Sequence, residues 1–183
     1  MILGMKFDKA RVWPFILTGA IILVDQITKW LIAKHPQNEK IFDVFGNGFL
    51  QIWHVRNPNI AFSMGRDLPD LIKPVLFVAL PLLVLCALLW YYLSSDDFTR
   101  LQRWATAGIL GGGIGNIIDR IFRWPDGVVD FIDVKFYGLF GFDRWPTFNV
   151  ADSSVVVCCL LLFGSILFST RKPKAKQTES DNK

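Results

Sequence analysis

Four long runs of apolar residues, separated by polar segments, dominate the pattern of this chain. They extend over about residues 12–33, 71–93, 101–122 and 149–169. A helix that crosses the hydrocarbon core of a bilayer needs about 20 predominantly apolar residues, and each run has that length. We therefore predict an all-α membrane protein, built as a four-transmembrane-helix bundle. Pro81 lies inside the second run, where it should bend the helix.

Basic residues predict how these helices are oriented. They lie before the first run, around the turn between the second and third runs, and after the fourth run: Lys6, Lys9, Arg11, Arg100, Arg103, Arg171, Lys172, Lys174 and Lys176. The positive-inside rule places such residues in the cytoplasm. Both termini are therefore predicted to be cytoplasmic, and the loops 34–70 and 123–148 to face outward. Asp25, Gln26 and Lys29 lie where a signal-peptide cleavage site would follow, so we expect the first helix to be uncleaved.

Residues 1–170 are expected to form a single membrane-embedded domain, and 171–183 a disordered basic tail without apolar periodicity. The segment 49–56 is rich in β-favouring residues and follows a Gly-Asn-Gly turn, which predicts a small extracytoplasmic β element. The second outer loop is predicted to form an interfacial aromatic loop or helix, because aromatic residues favour the membrane–water boundary. Its aromatic residues are Trp124, Phe131, Phe136, Tyr137, Phe140, Phe142 and Trp145.

Composition changes this interpretation little. Hydrophobic residues make up 52% of the chain, and the net charge of +4 is carried largely by the tails, which does not indicate nucleic-acid binding. Cys86, Cys158 and Cys159 do not have zinc-ligand spacing, and His35 and His54 do not supply it either. We therefore expect no metal and no cofactor.

Polar residues recur at one depth within the predicted helices. From the helical rise, Asp25 and Asn116 lie roughly 20 Å from the cytoplasmic end, and Asp152 lies about 28 Å from it. Lys29 follows Asp25 at i+4, and the same kind of spacing groups Asp119 and Arg120 with Asn116, and Asn149 with Asp152. Intramembrane ionisable residues are costly and commonly functional. The same spacings also fit an ion pair that only orients helices, or a helix-packing network.

Glycine is concentrated in the third run. Gly108 with Gly112, and Gly111 with Gly115, have the small-xxx-small spacing of closely packed membrane helices. The Gly-Lys-Ser/Thr ending of a phosphate-binding loop does not follow them. We therefore expect the third helix to approach its neighbours closely beside the polar residues.

Asp130 and Asp152 are the strongest candidates for chemistry. Asp130 lies in Val-Val-Asp-Phe-Ile, and Asp152 begins the fourth apolar run in Phe-Asn-Val-Ala-Asp. Two carboxylates that approach each other share one proton, and such a pair can activate water.

The chain resembles the bacterial lipoprotein signal peptidases, also called signal peptidase II, over nearly its whole length. Five segments in order carry the resemblance: Asp25-Gln26-Ile27-Thr28-Lys29, Arg56-Asn57-Pro58-Asn59-Ile60-Ala61-Phe62-Ser63, Gly112-Gly113-Ile114-Gly115-Asn116-Ile117-Ile118-Asp119-Arg120, Val129-Asp130-Phe131 and Phe148-Asn149-Val150-Ala151-Asp152. The family usually has glycine at the position of Asn59. Asparagine tolerates positive φ best among the other residues, so we expect a similar turn.

The resemblance implies a membrane aspartic endopeptidase that removes signal peptides from diacylglyceryl-modified prolipoproteins, just before the lipidated cysteine. It implies that Asp130 and Asp152 are catalytic. Asn57, Asn116 and Arg120 would hold the substrate backbone, Asn149 would orient Asp152, and Asp25 and Lys29 would support the site. Asp119 would hold Arg120 or cap the third helix. The expected setting is the bacterial inner membrane, with a monomer acting near the outer leaflet.

Two rival interpretations remain open from the residues alone. Intramembrane acids also mark the ion paths of transporters and proton relays, but such a path should continue to the cytoplasmic side. A purely structural scaffold does not explain why Asp130 and Asp152 occur together. Other intramembrane proteases are disfavoured, because neither a His-Glu-x-x-His motif nor a convincing Ser–His arrangement is present.

Overall fold

The computed structural model describes residues 8–59 and 68–169. Some sequence predictions concern residues outside these ranges. They are the contribution of Lys6 to orientation, the turn-forming motif beyond Asn59 (residues 60–63), and the disordered tail 171–183 with its four basic residues.

The helices agree closely with the predicted spans. They are α1 (Lys9–Val12), α2 (Phe15–Ile32), α3 (Leu80–Ser94), α4 (Arg100–Phe122) and α5 (Val150–Ser169). Among the residues that the structure describes, three helical stretches are long and apolar enough to cross a membrane: Lys9–Ile32, Val75–Ser94 and Val150–Phe168. Helix α4 has 23 residues but carries several charged groups and five glycines.

Pro81 affects the helix in which it lies. A π-helical stretch, Val75–Ala79, leads directly into α3, and Pro81 occupies the first turn of α3. Proline has no N–H to donate to the carbonyl four residues earlier, here that of Phe77. The missing hydrogen bond accounts for the π-helical stretch, with its bonds between residues i and i+5, just before Pro81.

Helix α4 is the centre of the bundle and packs against α2, α3 and α5. A Cβ added at Gly112 would collide with the Ala151 carbonyl oxygen and lie 2.8 Å from Val155 Cγ2. One added at Gly115 would lie 2.7 Å from Asp25 Oδ2. The predicted close packing at these glycines is confirmed, and it places α5 and α2 directly against the polar part of α4.

A three-stranded antiparallel sheet covers one end of the helices, in the order β1 (Lys40–Asp43), β2 (Leu50–Asn57) and β3 (Val128–Val134). The predicted strand pair is present as β1 and β2. The all-α label is too narrow, because β3 lies within what we predicted to be an aromatic loop or helix. Strand β3 pairs with β2, about 75 residues away in the chain, and this long-range pairing leaves no local signal.

The remainder of the aromatic loop forms a hairpin that returns to the sheet. Lys135 and Arg144 pair in an isolated antiparallel β-bridge, and a short 3₁₀ turn, Leu139–Gly141, connects the two sides of the hairpin. The Arg144 guanidinium donates to Asp133 Oδ1 at 2.5 Å and to the Gly48 carbonyl at 3.0 Å. These bonds fasten the hairpin to the end of the sheet at which β2 begins and β3 ends, while Phe140 at its tip remains 78% exposed.

Close packing at α4 predicts effects of different size for two glycine substitutions. Gly112→Ala should lower the free energy of unfolding by about 1–3 kcal/mol, because the new methyl group overpacks the α4–α5 contact. Gly19→Ala, on an open face of α2 with nothing within 4 Å, should change it by no more than about 1 kcal/mol. Thermal unfolding in detergent measures both. Equal melting temperatures for the two variants would contradict the assigned packing.

Candidate active site

An ion cluster with a fully buried centre joins α2 to α4. Lys29 Nζ lies 2.8 Å from Asp25 Oδ2 and 3.2 Å from Asp119 Oδ2, and none of the three side chains is exposed. Arg123 also pairs with Asp119, so the cluster holds two cations and two carboxylates. Charges removed from water need this kind of pairing, since an uncompensated buried charge costs several kcal/mol.

The two acids of the cluster also bind backbone groups of neighbouring elements. Asp25 Oδ1 accepts the Ala151 N–H at 3.0 Å, which satisfies a free donor in the first turn of α5. Asp119 Oδ2 accepts the Val129 N–H of β3 at 3.1 Å. The cluster therefore fixes where α5 begins and where β3 passes, and these two elements carry Asp152 and Asp130.

Asp130 points from β3 into a buried polar region, and its side chain is only 4% exposed. Asn57 Nδ2 donates to its Oδ2 at 3.1 Å, and Asn149 Nδ2 donates to its Oδ1 at 2.7 Å. Gly127, with φ +81°, allows the chain to pass β2, because any Cβ there would collide with the Asn57 carbonyl. This close approach brings Asn57 beside Asp130.

Asp152 lies in the first turn of α5 and forms a reciprocal cap with Asn149. The Asp152 N–H donates to Asn149 Oδ1 at 2.9 Å, and the Asn149 N–H donates to Asp152 Oδ2 at 3.1 Å. This is the capping-box arrangement, with aspartate in the place of the usual Glu or Gln. The other carboxylate oxygen, Oδ1, accepts Asn116 Nδ2 at 2.7 Å.

Asn149 is the link between the two candidate acids. It is completely buried, it caps the helix whose first turn contains Asp152, and its amide donates to Asp130. The role of Asn149 in orienting Asp152 stays a prediction. One side chain thus holds Asp130 and Asp152 on either side of itself.

Burial and, to a smaller extent, the nearby charge of Asp152 raise the pKa of Asp130 to about 7. Hydrogen bonds from Asn57 and Asn149 act in the opposite sense, because they favour the ionised form. Desolvation outweighs them. Asp130 therefore keeps a proton over a pH range in which an ordinary aspartate has lost it.

Arg120 lies close enough to Asp152, Asp130 and Asp119 for their charges to act on it. Its guanidinium makes no hydrogen bond to any residue in the ranges 8–59 and 68–169. Holding Arg120 was one of two roles predicted for Asp119, and among the described residues Asp119 instead pairs directly with Lys29 and Arg123. Arg120 therefore has donors to offer beside the two carboxylates.

The structure brings every residue of the predicted site together at one end of the bundle. Sequence reasoning missed three contributors: Arg123, Gly127 and the side chain of Gln26, which contacts Asp25, Asp119 and the Gly115 carbonyl. The i+4 spacing of Arg123 from Asp119 could have indicated the contribution of Arg123. Asn59 is not among the positive-φ residues, but its N–H donates to Asn57 Oδ1 at 3.1 Å and so forms a tight turn. Within the described ranges, no group of three His, Cys, Asp or Glu residues is arranged to hold a metal ion.

Comparison with known proteins supplies an independent observation. The family model described as Signal peptidase (SPase) II matches residues 17–168. A lipoprotein signal peptidase of Treponema denticola is 46% identical over 170 residues, which cover 93% of this chain and 97% of that protein. One of Treponema pallidum is 42% identical and covers 88% of this chain and 87% of that protein.

Solved structures show the same likeness in three dimensions. A chain described as "Bacterial membrane enzyme structure by the in meso method at 2.3 A resolution" matches with a TM-score of 0.75 and 28% identity. The match covers 91% of this chain and 94% of that chain. A second membrane enzyme matches with a TM-score of 0.69 and 26% identity. By sequence and by fold, this chain belongs to the signal peptidase II family of proteases.

Proposed function

We propose that Asp130 and Asp152 are the catalytic pair with which this protease cuts diacylglyceryl-modified prolipoproteins just before the lipidated cysteine. The observation that carries the proposal is the link through Asn149. This residue joins a carboxylate from β3 to one from α5. Arg120 lies near both carboxylates, and its guanidinium makes no hydrogen bond to a residue that the structure describes. The names of the relatives support the substrate class, since they are lipoprotein signal peptidases.

The two carboxyl groups have different environments, and these suggest different roles. Asp130 is deeply buried with a pKa near 7, which suits a group that begins the reaction protonated. Asp152 is more exposed and lies in the first turn of α5, where the helix dipole favours a negative charge. We therefore assign Asp130 as the acid and Asp152 as the base.

The reaction then proceeds without a covalent intermediate. Asp152 removes a proton from water while the water oxygen attacks the scissile carbonyl, whose oxygen receives the proton of Asp130. The tetrahedral intermediate collapses when Asp130 takes its proton back and the C–N bond breaks. The proton held by Asp152 goes to the departing amine of the cysteine. Both carboxyl groups return to their initial state.

Asn57, Asn116 and Arg120 would hold the substrate backbone. Arg120 is the clearest candidate, because its guanidinium carries five donors and is unpaired among the described residues. Asn57 and Asn116 each donate to one of the two catalytic carboxylates. They can therefore position the acids and contact the peptide at the same time.

The proposed topology places α4 as a fourth membrane span, with both termini and the α3–α4 turn in the cytoplasm. Supporting this, Lys9, Arg11, Arg100 and Arg103 lie at the end of the bundle opposite the carboxylates. Arg11 binds the Leu93 carbonyl at 2.7 Å and pairs with Asp96, which joins α1 to the end of α3. The site then opens near the outer leaflet of the inner membrane. Residues 1–170 act as one domain and as a monomer.

A transporter or proton relay is less well supported by the described helices. Helix α3 has no charged residue, and α5 has none after Asp152. A proton path through the bundle would need ionisable groups toward the cytoplasmic side. The polar cluster instead ends at Asp25 and Lys29.

Replacing either catalytic carboxyl group should stop cleavage without unfolding the protein. Asp130→Asn and Asp152→Asn should each lower kcat by at least about a hundred- to ten-thousandfold, since each removes one proton-transfer group. The assay follows cleavage of a purified diacylated prolipoprotein, and melting temperatures check the fold. Asp126→Asn, an exposed carboxyl group near Asp130 in sequence, is the matched control and should cleave normally. Near-normal turnover by either site variant would refute the pair.

The raised pKa of Asp130 predicts a pH dependence with a definite sign. If cleavage requires its proton, activity should decline as the pH rises past about 7. The folded protein binds this proton more tightly than the unfolded chain, so the resulting stabilisation is complete below the ordinary value of 3.8 and is lost as the pH rises through about 7. In Asp152→Asn the pKa of Asp130 should fall, but not to 3.8, because burial remains. Infrared titration of the carboxyl group measures this, and an unchanged pKa would show that the two groups do not interact.

Removing Arg120 should weaken catalysis while leaving the acid pair in place. Arg120→Ala deletes donors that would bind substrate carbonyl groups, so kcat/KM should fall by roughly tenfold or more. Arg123→Ala tests whether any nearby arginine has this effect, since Arg123 pairs with Asp119 and should mainly lower the melting temperature. If Arg120→Ala kept wild-type kinetics on a lipidated substrate, Arg120 would have no place in the site.

A further inference from the structure

The Lys29 ammonium has three N–H donors, and each has its own acceptor. They reach Asp25 Oδ2 at 2.8 Å, Asp119 Oδ2 at 3.2 Å and Asn116 Oδ1 at 2.9 Å. The first two contacts balance charge. The third does not, because Asn116 is neutral. It therefore calls for a different explanation.

The contact with Lys29 determines which way the Asn116 amide faces. Lysine can only donate, so the amide oxygen must point toward Lys29 and the amide nitrogen away from it. Asn149 Nδ2 also donates to the same oxygen, at 3.2 Å. The Asn116 nitrogen then points at Asp152 Oδ1, 2.7 Å away. The reverse orientation would place the amide oxygen against a carboxylate and the amide nitrogen against an ammonium group.

We propose that Lys29 is a positioning residue for the peptidase reaction, acting through the Asn116 amide to keep a hydrogen-bond donor on Asp152. The inference rests on the proposed function, in which Asp152 is the base. A donor to a carboxylate favours its ionised form, which is the form that accepts a proton from water. Lys29 is fully buried and does not touch the reacting atoms.

The charged and titratable groups that face this corner come from three elements. They are Asp130 from β3, Asp119 and Arg120 from α4, and Asp25 and Lys29 from α2. Removing Lys29 alone would leave Asp25 and Asp119 with only one cation, Arg123. The combined variant Asp25→Asn/Lys29→Met removes one charge of each sign. The amide oxygen introduced at position 25 can still accept the hydrogen bond from the Ala151 N–H in the first turn of α5.

The test is a double-mutant cycle between Asp25→Asn/Lys29→Met and Asn116→Leu, assayed on a purified diacylated prolipoprotein. Each arm should lower kcat on the order of ten- to a hundredfold, as outer-shell partners of reacting groups do, with little change in KM. Both changes act on the same hydrogen bond to Asp152. The kcat of the combined variant should therefore agree with that of Asn116→Leu within about threefold. The acidic limb of the kcat–pH profile should move to higher pH in Asp25→Asn/Lys29→Met. Asp25→Asn alone keeps Lys29 and should lose less activity than the pair.

Several outcomes would overturn the positioning role. One is that the losses of kcat in the two arms multiply in the combined variant. Another is that the acidic limb of the kcat–pH profile does not move. A third is that Asp25→Asn is as slow as Asp25→Asn/Lys29→Met. If Asp25→Asn/Lys29→Met does not fold, the variant Asn116→Asp tests the proposal instead. That change keeps an acceptor for Lys29 but presents oxygen to Asp152, so kcat should fall at normal melting temperature. A wild-type kcat in Asn116→Asp would contradict the proposal.

The same assays separate this inference from the proposed function. Active Asp130→Asn or Asp152→Asn variants would remove the catalytic pair itself. Inactive aspartate variants combined with an additive cycle would remove only the role of Lys29.

Discussion

The Lys29 ammonium is held between the carboxylates of Asp25 and Asp119, where none of the three side chains is exposed to solvent. Charges buried in this way are tolerated only when their partners are in place, so helices α2 and α4 can pack here in essentially one register. Asp25 also caps α5, and Asp119 holds the start of β3. The elements that carry the two candidate acids are therefore both attached to one ion cluster.

Asparagine amides connect this cluster to the carboxylate pair. Asn116 lies between Lys29 and Asp152, and Asn149 lies between Asp152 and Asp130. An amide has a donor end and an acceptor end, so each fixed partner determines what the next group meets. The two amides therefore lie between the charged side chains of the cluster and the candidate acids. The orientation of each amide determines which atom it presents to the next carboxylate.

The sequence was most informative about the helices and about the residues of the site. Apolar run lengths gave α2, α4 and α5 nearly to the residue, and the helical spacing of Asp25 with Lys29 predicted their ion pair. Strand β3 was missed, because its partner β2 is far away in the chain and its seven residues lie among aromatic residues. Holding Arg120 was only one of two roles predicted for Asp119, and its direct partners are Lys29 and Arg123. Arg120 and Arg123 are both close to it in sequence, and only the helix C-terminal turn decides that Arg123 points back to it.

The proposed function depends on the joint action of Asp130 and Asp152 on the scissile carbonyl oxygen and on the attacking water. It is tested most directly by a structure with a lipidated peptide whose scissile bond is replaced by a hydroxyl-bearing tetrahedral isostere. The account predicts that the hydroxyl lies within about 3 Å of a carboxylate oxygen of both residues. An isostere bound in the site with its hydroxyl contacting neither carboxylate, or only one, would contradict the account.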